Sequence, residues 1–111
     1  MSLRSAAIAA AVLAAAIAAP GCGGASDEEK QQAIDAAMGA YERAQASGAK
    51  LGDGPCIAEQ LPGLDDWVVD IAHDPRQDVD DDPANQCQRF RDGEASHFVE
   101  LTPDGELIRA E

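Results

Sequence analysis

Three groups of side chains in this chain have the types and spacing to do chemistry. Asp78, Asp80 and Asp82 alternate within Asp78-Val79-Asp80-Asp81-Asp82, and carboxylates at alternating positions can wrap a hard cation such as calcium. Cys56 and Cys87 are far apart in sequence and Cys22 lies close behind the N-terminal apolar run, so the three thiols need not serve one purpose. His73 and His97 carry the side chain that titrates near neutrality, which suits a ligand surface or a pH-sensitive pair.

Each group is bounded by what its neighbours lack. If Asp78 opened an EF-hand calcium loop, the sixth position would need glycine and the twelfth a bidentate glutamate; the chain has Pro83 and Arg89 there, so only an irregular calcium site fits. A Cys-Cys-His zinc site would call on His73 or His97, but no C-x-x-C or H-x-x-x-H spacing accompanies them. Ser96 and His97 are adjacent, which on a strand sends them to opposite faces and leaves no nucleophile beside a base. No G-x-S-x-G, phosphate-cradling glycine loop or zinc-protease helix occurs. The expectation is a protein that is not an enzyme, with a small hydrolase as a distant reading.

Charge narrows the partners. The 111 residues carry a formal net charge of −13, which argues against nucleic acid and against a basic patch docking on anionic lipid. Any hold on a membrane must be covalent. The chain opens with the means for one: Arg4 precedes an uncharged run over residues 5–19, shorter than the roughly 18 to 20 residues of a membrane-spanning helix and broken by Pro20 and Gly21. Ala19-Pro20-Gly21-Cys22 resembles a bacterial lipobox, in which small residues precede the cysteine that is acylated before cleavage. The resemblance implies that residues 1–21 are a lipoprotein signal peptide and that Cys22 carries the diacylglyceryl and palmitate-type chains. Residues 22–25 would then be a short tether, Gly23 and Gly24 keeping the domain close to the lipid on the extracytoplasmic face of the cell membrane, or of an outer membrane where one exists. Two acyl chains hold a protein firmly without basic help.

Residues 26–111 are expected to form a single α+β domain. Ser26 and Glu29 have the spacing of a helix capping box, the acids Asp27, Glu28 and Glu29 suit a helix start, and Gly48 suits a helix stop. Between them Ile34, Ala37, Met38, Tyr41 and Ala44 recur at three- and four-residue spacing, predicting one apolar stripe. A connector follows with a helical turn near residues 56–60, then a strand over 66–73 with Trp67, Val69, Ile71 and His73 on one face and Val68, Asp70 and Ala72 on the other. Residues 74–86, with five aspartates and two prolines, read as an irregular loop of a length that is usually functional or mobile. Asp92-Gly93 and Thr102-Pro103-Asp104-Gly105 predict two hairpin turns linking strands over 87–91, 94–101 and 106–110. The sum is a helix on a roughly four-stranded antiparallel sheet, which resembles the cystatin-like layout in element order only.

Export places Cys56 and Cys87 in an oxidising compartment, and with Cys22 acylated these two pair. Closing a loop of about 32 residues is worth roughly 3 to 4 kcal/mol in the chain-entropy model, useful to a domain with four aromatic residues, Tyr41, Trp67, Phe90 and Phe98. The functional expectation is a membrane-anchored interaction or ligand-binding domain for a protein or small-molecule partner. It would use residues 74–86, Trp67 or the sheet face away from the helix. The alternative is a calcium-binding or acidic surface protein using residues 74–86.

Overall fold

The structure is a computed structural model that describes residues 24–111. The expected signal peptide, the expected acylation of Cys22, and Gly23 of the expected tether lie outside the described residues. Along the chain come α1 (Asp27–Ala46), β1 (Cys56–Ala58), β2 (Trp67–Ile71), a short α2 (Gln88–Arg91), β3 (His97–Leu101) and β4 (Leu107–Ala110). The strands form one sheet in the order β1-β2-β3-β4, with α1 against one face. This is the α+β arrangement expected.

Helix α1 begins where its sequence directs. The Ser26 side chain accepts from the Glu29 N–H at 3.0 Å, closing half of a capping box. The other half is diverted: Oε2 of Glu29 accepts instead from the indole N–H of Trp67 at 2.8 Å, pairing the polar atom of the largest core side chain. The face turned to the sheet is Ala33, Ala37, Ala40 and Tyr41, rotated slightly from the expected stripe, so that Ile34 and Met38 flank it half-buried. Small alanines let the helix lie close to the strands, and the Tyr41 hydroxyl then reaches across to donate to the Pro103 carbonyl at 2.8 Å.

The main core lies between α1 and the first face of the sheet, where Trp67, Val69, Ile71, Val99 and Leu101 are fully buried with Leu61. Each such side chain contributes about 1.5 to 3 kcal/mol. The alternation expected along β2 holds over Trp67–Ile71, the strand ending before Ala72 and His73, and Leu101 faces Leu107 across the last turn. That turn closes with the Gly105 N–H donating to Thr102 O at 2.9 Å. Gly105 has a φ of +91° and its Cα lies against the Tyr41 ring, leaving no room for a side chain.

Two expectations are corrected. Residues 87–91 do not form a strand: Gln88–Arg91 is a helical turn, Asp92 is its C-cap, and Gly93 follows with a φ of +78°. An Asp-Gly pair suits a helix stop as well as a hairpin, and here a distant residue selects the helix. The Glu59 carboxylate, just past β1, accepts from the backbone N–H groups of Gln88 and Arg89 at 2.8 and 2.9 Å, capping the turn across 29 positions of sequence. As a result residues 72–96 become a crossover and β3 pairs with β2 in parallel, Trp67 beside His97 through Ile71 beside Leu101. The outer pairs are antiparallel. The sheet is thus mixed, mostly antiparallel with one parallel pair, rather than a meander. The second correction is smaller: Cys56–Ala58, expected as a helical turn, is edge strand β1, bonded to β2.

Cys56 and Cys87 form the disulfide, with their Cα atoms 4.9 Å apart. It ties β1 to the start of α2 on the second face of the sheet, where Val68, Cys87 and Ala95 make a small satellite core with Phe98 packed against it.

Candidate functional site

The second face is only partly covered, and the parallel pairing gives it an unusual row of side chains. Register places Cys56 of β1 beside Asp70 of β2, Asp70 beside Glu100 of β3, and Glu100 beside Arg109 of β4. Two acids are thus neighbours on adjacent strands, an arrangement that repels unless cations intervene. Arg76, from the crossover, donates through Nη1 to Glu100 Oε2 at 2.8 Å, and Arg109 donates through Nε to Glu100 Oε1 at 3.2 Å. Arg76 is itself held by Asp81 Oδ1 at 3.0 Å and by the Asp80 carbonyl at 3.3 Å. Each oxygen of Glu100 thus accepts from a guanidinium, and the residue stays 6% exposed. Hydrogen bonding to Glu100, then to Asp81, raises the Arg76 guanidinium further above its ordinary pKa.

Asp70 has no such partner. Its Oδ1 is buried without a hydrogen bond. Burial first, and the charge of Glu100 second, push its carboxyl up to about 8 despite the opposing pull of Arg76. Near neutrality Asp70 is mostly a protonated acid, able to donate as well as accept.

This group borders a cavity of about 210 Å³. Val68, Cys87, Phe90 and Phe98 supply its apolar lining, and Arg76, Arg91 and Arg109 border it together with Asp70 and Glu100. The two phenyl rings meet edge to face at 5.2 Å, and the Arg109 guanidinium lies 5.2 Å from the Phe98 ring centre. Phe90 remains 41% exposed on the exposed side of α2. Arg91 makes no ion pair among the described residues. Three of the chain's eight lysines and arginines border this one cavity, Arg76 and Arg109 ion-paired with Glu100 and Arg91 left as the unbalanced charge.

The residues singled out by sequence are placed differently. Trp67, expected as a contact surface, is 0% exposed and serves the core, stacked on the His97 ring at 4.8 Å. His97 lies at the sheet margin with Nε2 3.7 Å from Asp66 Oδ2. His73 and Asp80 do come together: Asp80 is 1% exposed, its Oδ1 is 3.0 Å from His73 Nδ1, and its Oδ2 accepts from the backbone N–H groups of His73 and Gln77, both at 2.9 Å. Burial works against the Asp80 carboxylate, but these N–H groups and the imidazole outweigh it and hold the carboxyl below its ordinary pKa. Gly54 has a φ of +69° and presses so close that a Cβ there would collide with Asp80.

Asp80 is therefore a strut that shapes residues 74–86. It does not converge with its two neighbours: Asp82 caps the following turn through the Ala84 N–H at 3.0 Å and Asp78 is exposed. Among the described residues, the one cluster of three metal-ligating types with mutually close ligand atoms is Cys56, Glu59 and Cys87. Its two sulfurs are bonded to each other.

The sequence carried a signal for the cavity. Asp70 interrupts the most apolar strand, Trp67-Val68-Val69-Asp70-Ile71, on the same face as Val68, and an acid in such a place needs a partner or a purpose. What could not be read was the parallel register that sets Asp70 beside Glu100.

No family model matches the chain, and comparisons with curated proteins and with solved structures find no similar protein. Fold and site together define a small disulfide-stapled α+β domain with a cavity of about 210 Å³ on its less covered sheet face, lined by an acid with an unpartnered buried oxygen and by arginines.

Proposed function

We propose that this protein is a membrane-anchored lipoprotein whose extracytoplasmic domain binds a small molecule in the cavity of the second sheet face. The observation that carries the reading is Asp70 Oδ1, a buried polar atom with no partner in the protein, at a cavity that also offers phenyl rings and guanidinium groups. A buried unsatisfied oxygen costs about 1 to 3 kcal/mol, and a bound ligand that pairs it recovers that cost. Ligand sites commonly combine an apolar lining with a few convergent polar groups and a perturbed titratable residue. The small volume, about 210 Å³, suits a compact ligand with the bulk of about seven waters.

The anchor is supported by the lipobox-like Ala19-Pro20-Gly21-Cys22 and by an acidity that leaves electrostatic adhesion to lipid unfavourable. Metabolic labelling with radioactive palmitate should mark the native chain and leave Cys22→Ala unlabelled. Equal label on both would remove the anchor. For the cavity, amide NMR spectra of the full chain in mild detergent should be recorded against neutral, anionic and cationic fragments of ten or fewer heavy atoms. Binders should shift the amides of Val68, Asp70, Phe98 and Glu100 and spare those of Ala33 and Ala37. If fragments of all three charges leave the second face unmoved, the ligand-binding reading fails.

A further inference from the structure

We infer that the ligand of this cavity is a small monocarboxylic acid with a compact apolar body, its carboxylate held by Arg91 and Arg109 and sharing a hydrogen bond with Asp70. The inference rests on the ligand-binding reading above and adds the ligand's chemical class.

Several groups around Asp70 have already used their bonding capacity. From β3 comes Glu100, both oxygens taken by Arg76 and Arg109. From the crossover come Arg76, committed to Glu100, Asp81 and the Asp80 carbonyl, and Asp80, whose carboxylate is turned to His73 and Gln77. From β1 comes Cys56, oxidised in the disulfide. Arg109 of β4 uses Nε on Glu100 and approaches Glu111 through Nη1 only at 3.8 Å. Arg91 of α2 has no ion-pair partner among the described residues. Gln86 also lines the cavity, its Nε2 reaching the Asp80 carbonyl only at 3.5 Å. The unspent capacity is therefore the carboxyl of Asp70, the amide of Gln86 and the donors of Arg91 and Arg109.

Charge then chooses the ligand. Arg76 and Arg109 are balanced by Glu100, Asp81 and Glu111, whereas Arg91 has no ion-pair partner among the described residues, so the cavity keeps a positive surplus at Arg91 while Asp70 holds its proton. A cation would meet that surplus and find only a neutral acid to pair with. A carboxylate would find planar guanidinium donors suited to it and a carboxyl O–H that can complete a short O–H···O⁻ bond. Phe90, Phe98, Val68 and the disulfide sulfur of Cys87 offer an apolar bed for a ring or a short chain. A small inorganic anion would satisfy the arginines and leave that bed empty.

The proton gives the site a signature. Asp70 titrates at about 8, and a carboxylate can share a hydrogen bond only with its protonated form. Affinity should be flat from pH 5.5 to 7, then weaken toward tenfold per pH unit above about 8, with roughly half a proton taken up per ligand bound at that pH. No bond is made or broken in this step. The proton comes from solvent and stays between the two carboxyl groups.

The test is calorimetry on the full chain in mild detergent, with benzoate, benzylamine, benzyl alcohol and sulfate as probes at matched ionic strength. Benzoate should bind with Kd on the order of 1 mM at pH 6.5, benzyl alcohol at least tenfold more weakly, and benzylamine and sulfate without measurable heat. Asp70→Asn keeps a donor without the titration. It should bind benzoate within about threefold of the native chain at pH 6.5 and show no fall above pH 8. Arg91→Ala should lose fivefold or more for benzoate and nothing for benzyl alcohol. If sulfate binds as well as benzoate, or if the native chain and Asp70→Asn share one pH profile, the carboxylate inference is overturned. If benzylamine or benzyl alcohol occupies the cavity and benzoate does not, this inference fails while the ligand-binding reading stands. If no probe of any charge binds, both fall.

Discussion

Replacing Asp70 with asparagine should change how stability depends on pH more than any other single surface of this protein would suggest. In the native fold burial and Glu100 raise the Asp70 carboxyl from 3.8 to about 8; in the unfolded chain it titrates near its ordinary value, about 4. Between about pH 4 and pH 8 the folded protein holds a proton that the unfolded chain has released. The unfolded state binds fewer protons there, so stability falls as pH rises, by about 1.4 kcal/mol per unit for this one group. The contribution is fullest below about pH 4 and is gone above about pH 8. Over pH 5 to 7 the loss amounts to about 3 kcal/mol. Asp70→Asn has no proton to exchange, fits the same space and escapes the penalty. The assay is urea unfolding of both proteins at pH 5, 6 and 7, followed by the fluorescence of Trp67, with the difference between them plotted against pH. The variant should gain on the native chain by about 3 kcal/mol across that range. A difference that stays constant within about 0.5 kcal/mol would refute the placement of Asp70 as a half-buried acid beside Glu100.

Two further perturbations test the frame around the site. Converting Cys56 and Cys87 together to alanine should cost about 3 to 4 kcal/mol in urea unfolding and broaden the NMR signals of α2, because the Cys56–Cys87 bridge ties β1 to its start. A loss under about 1 kcal/mol would show that Glu59 alone holds the turn. Asp80→Ala strips the acceptor from the N–H groups of His73 and Gln77 and should cost about 3 kcal/mol at pH 7. Since the Asp80 carboxyl lies below its ordinary value in the fold, its stabilisation is present above about pH 4 and lost as pH falls further. Acid unfolding below pH 4 should be shallower in the variant, and identical acid profiles would contradict the strut.

The helix, the β2 alternation, the last turn and the disulfide were legible because each is written locally or by elimination. Ser26 and Glu29 mark a helix start, Trp67, Val69 and Ile71 mark one strand face, and Thr102 to Gly105 specify a turn by their own chemistry. Residues 87–91 do not show their fold locally because their structure is decided by Glu59, and nothing within five residues of Asp92-Gly93 separates a helix stop from a hairpin. That one substitution of helix for strand changes β2 and β3 from distant to adjacent and parallel, and the cavity exists only as its consequence. Asp70 was visible as an acid in an apolar strand, but its neighbour Glu100 lies 30 positions on. The aspartates of residues 74–86 drew notice by composition, yet the buried one, Asp80, proves to be architectural.

The central claim is that a small ligand occupies the cavity between α2 and the second face of the sheet. The most direct measurement is a filtered NOE experiment on the isotopically labelled full chain with unlabelled benzoate, detecting which protein protons lie within about 5 Å of the bound ring. Benzoate in this cavity should give cross-peaks to Phe90, Phe98 and Val68, lost when excess ligand is removed. Cross-peaks to Ala40, Ala44 or Ile57, which border a wider cleft at the far end of α1, would contradict it.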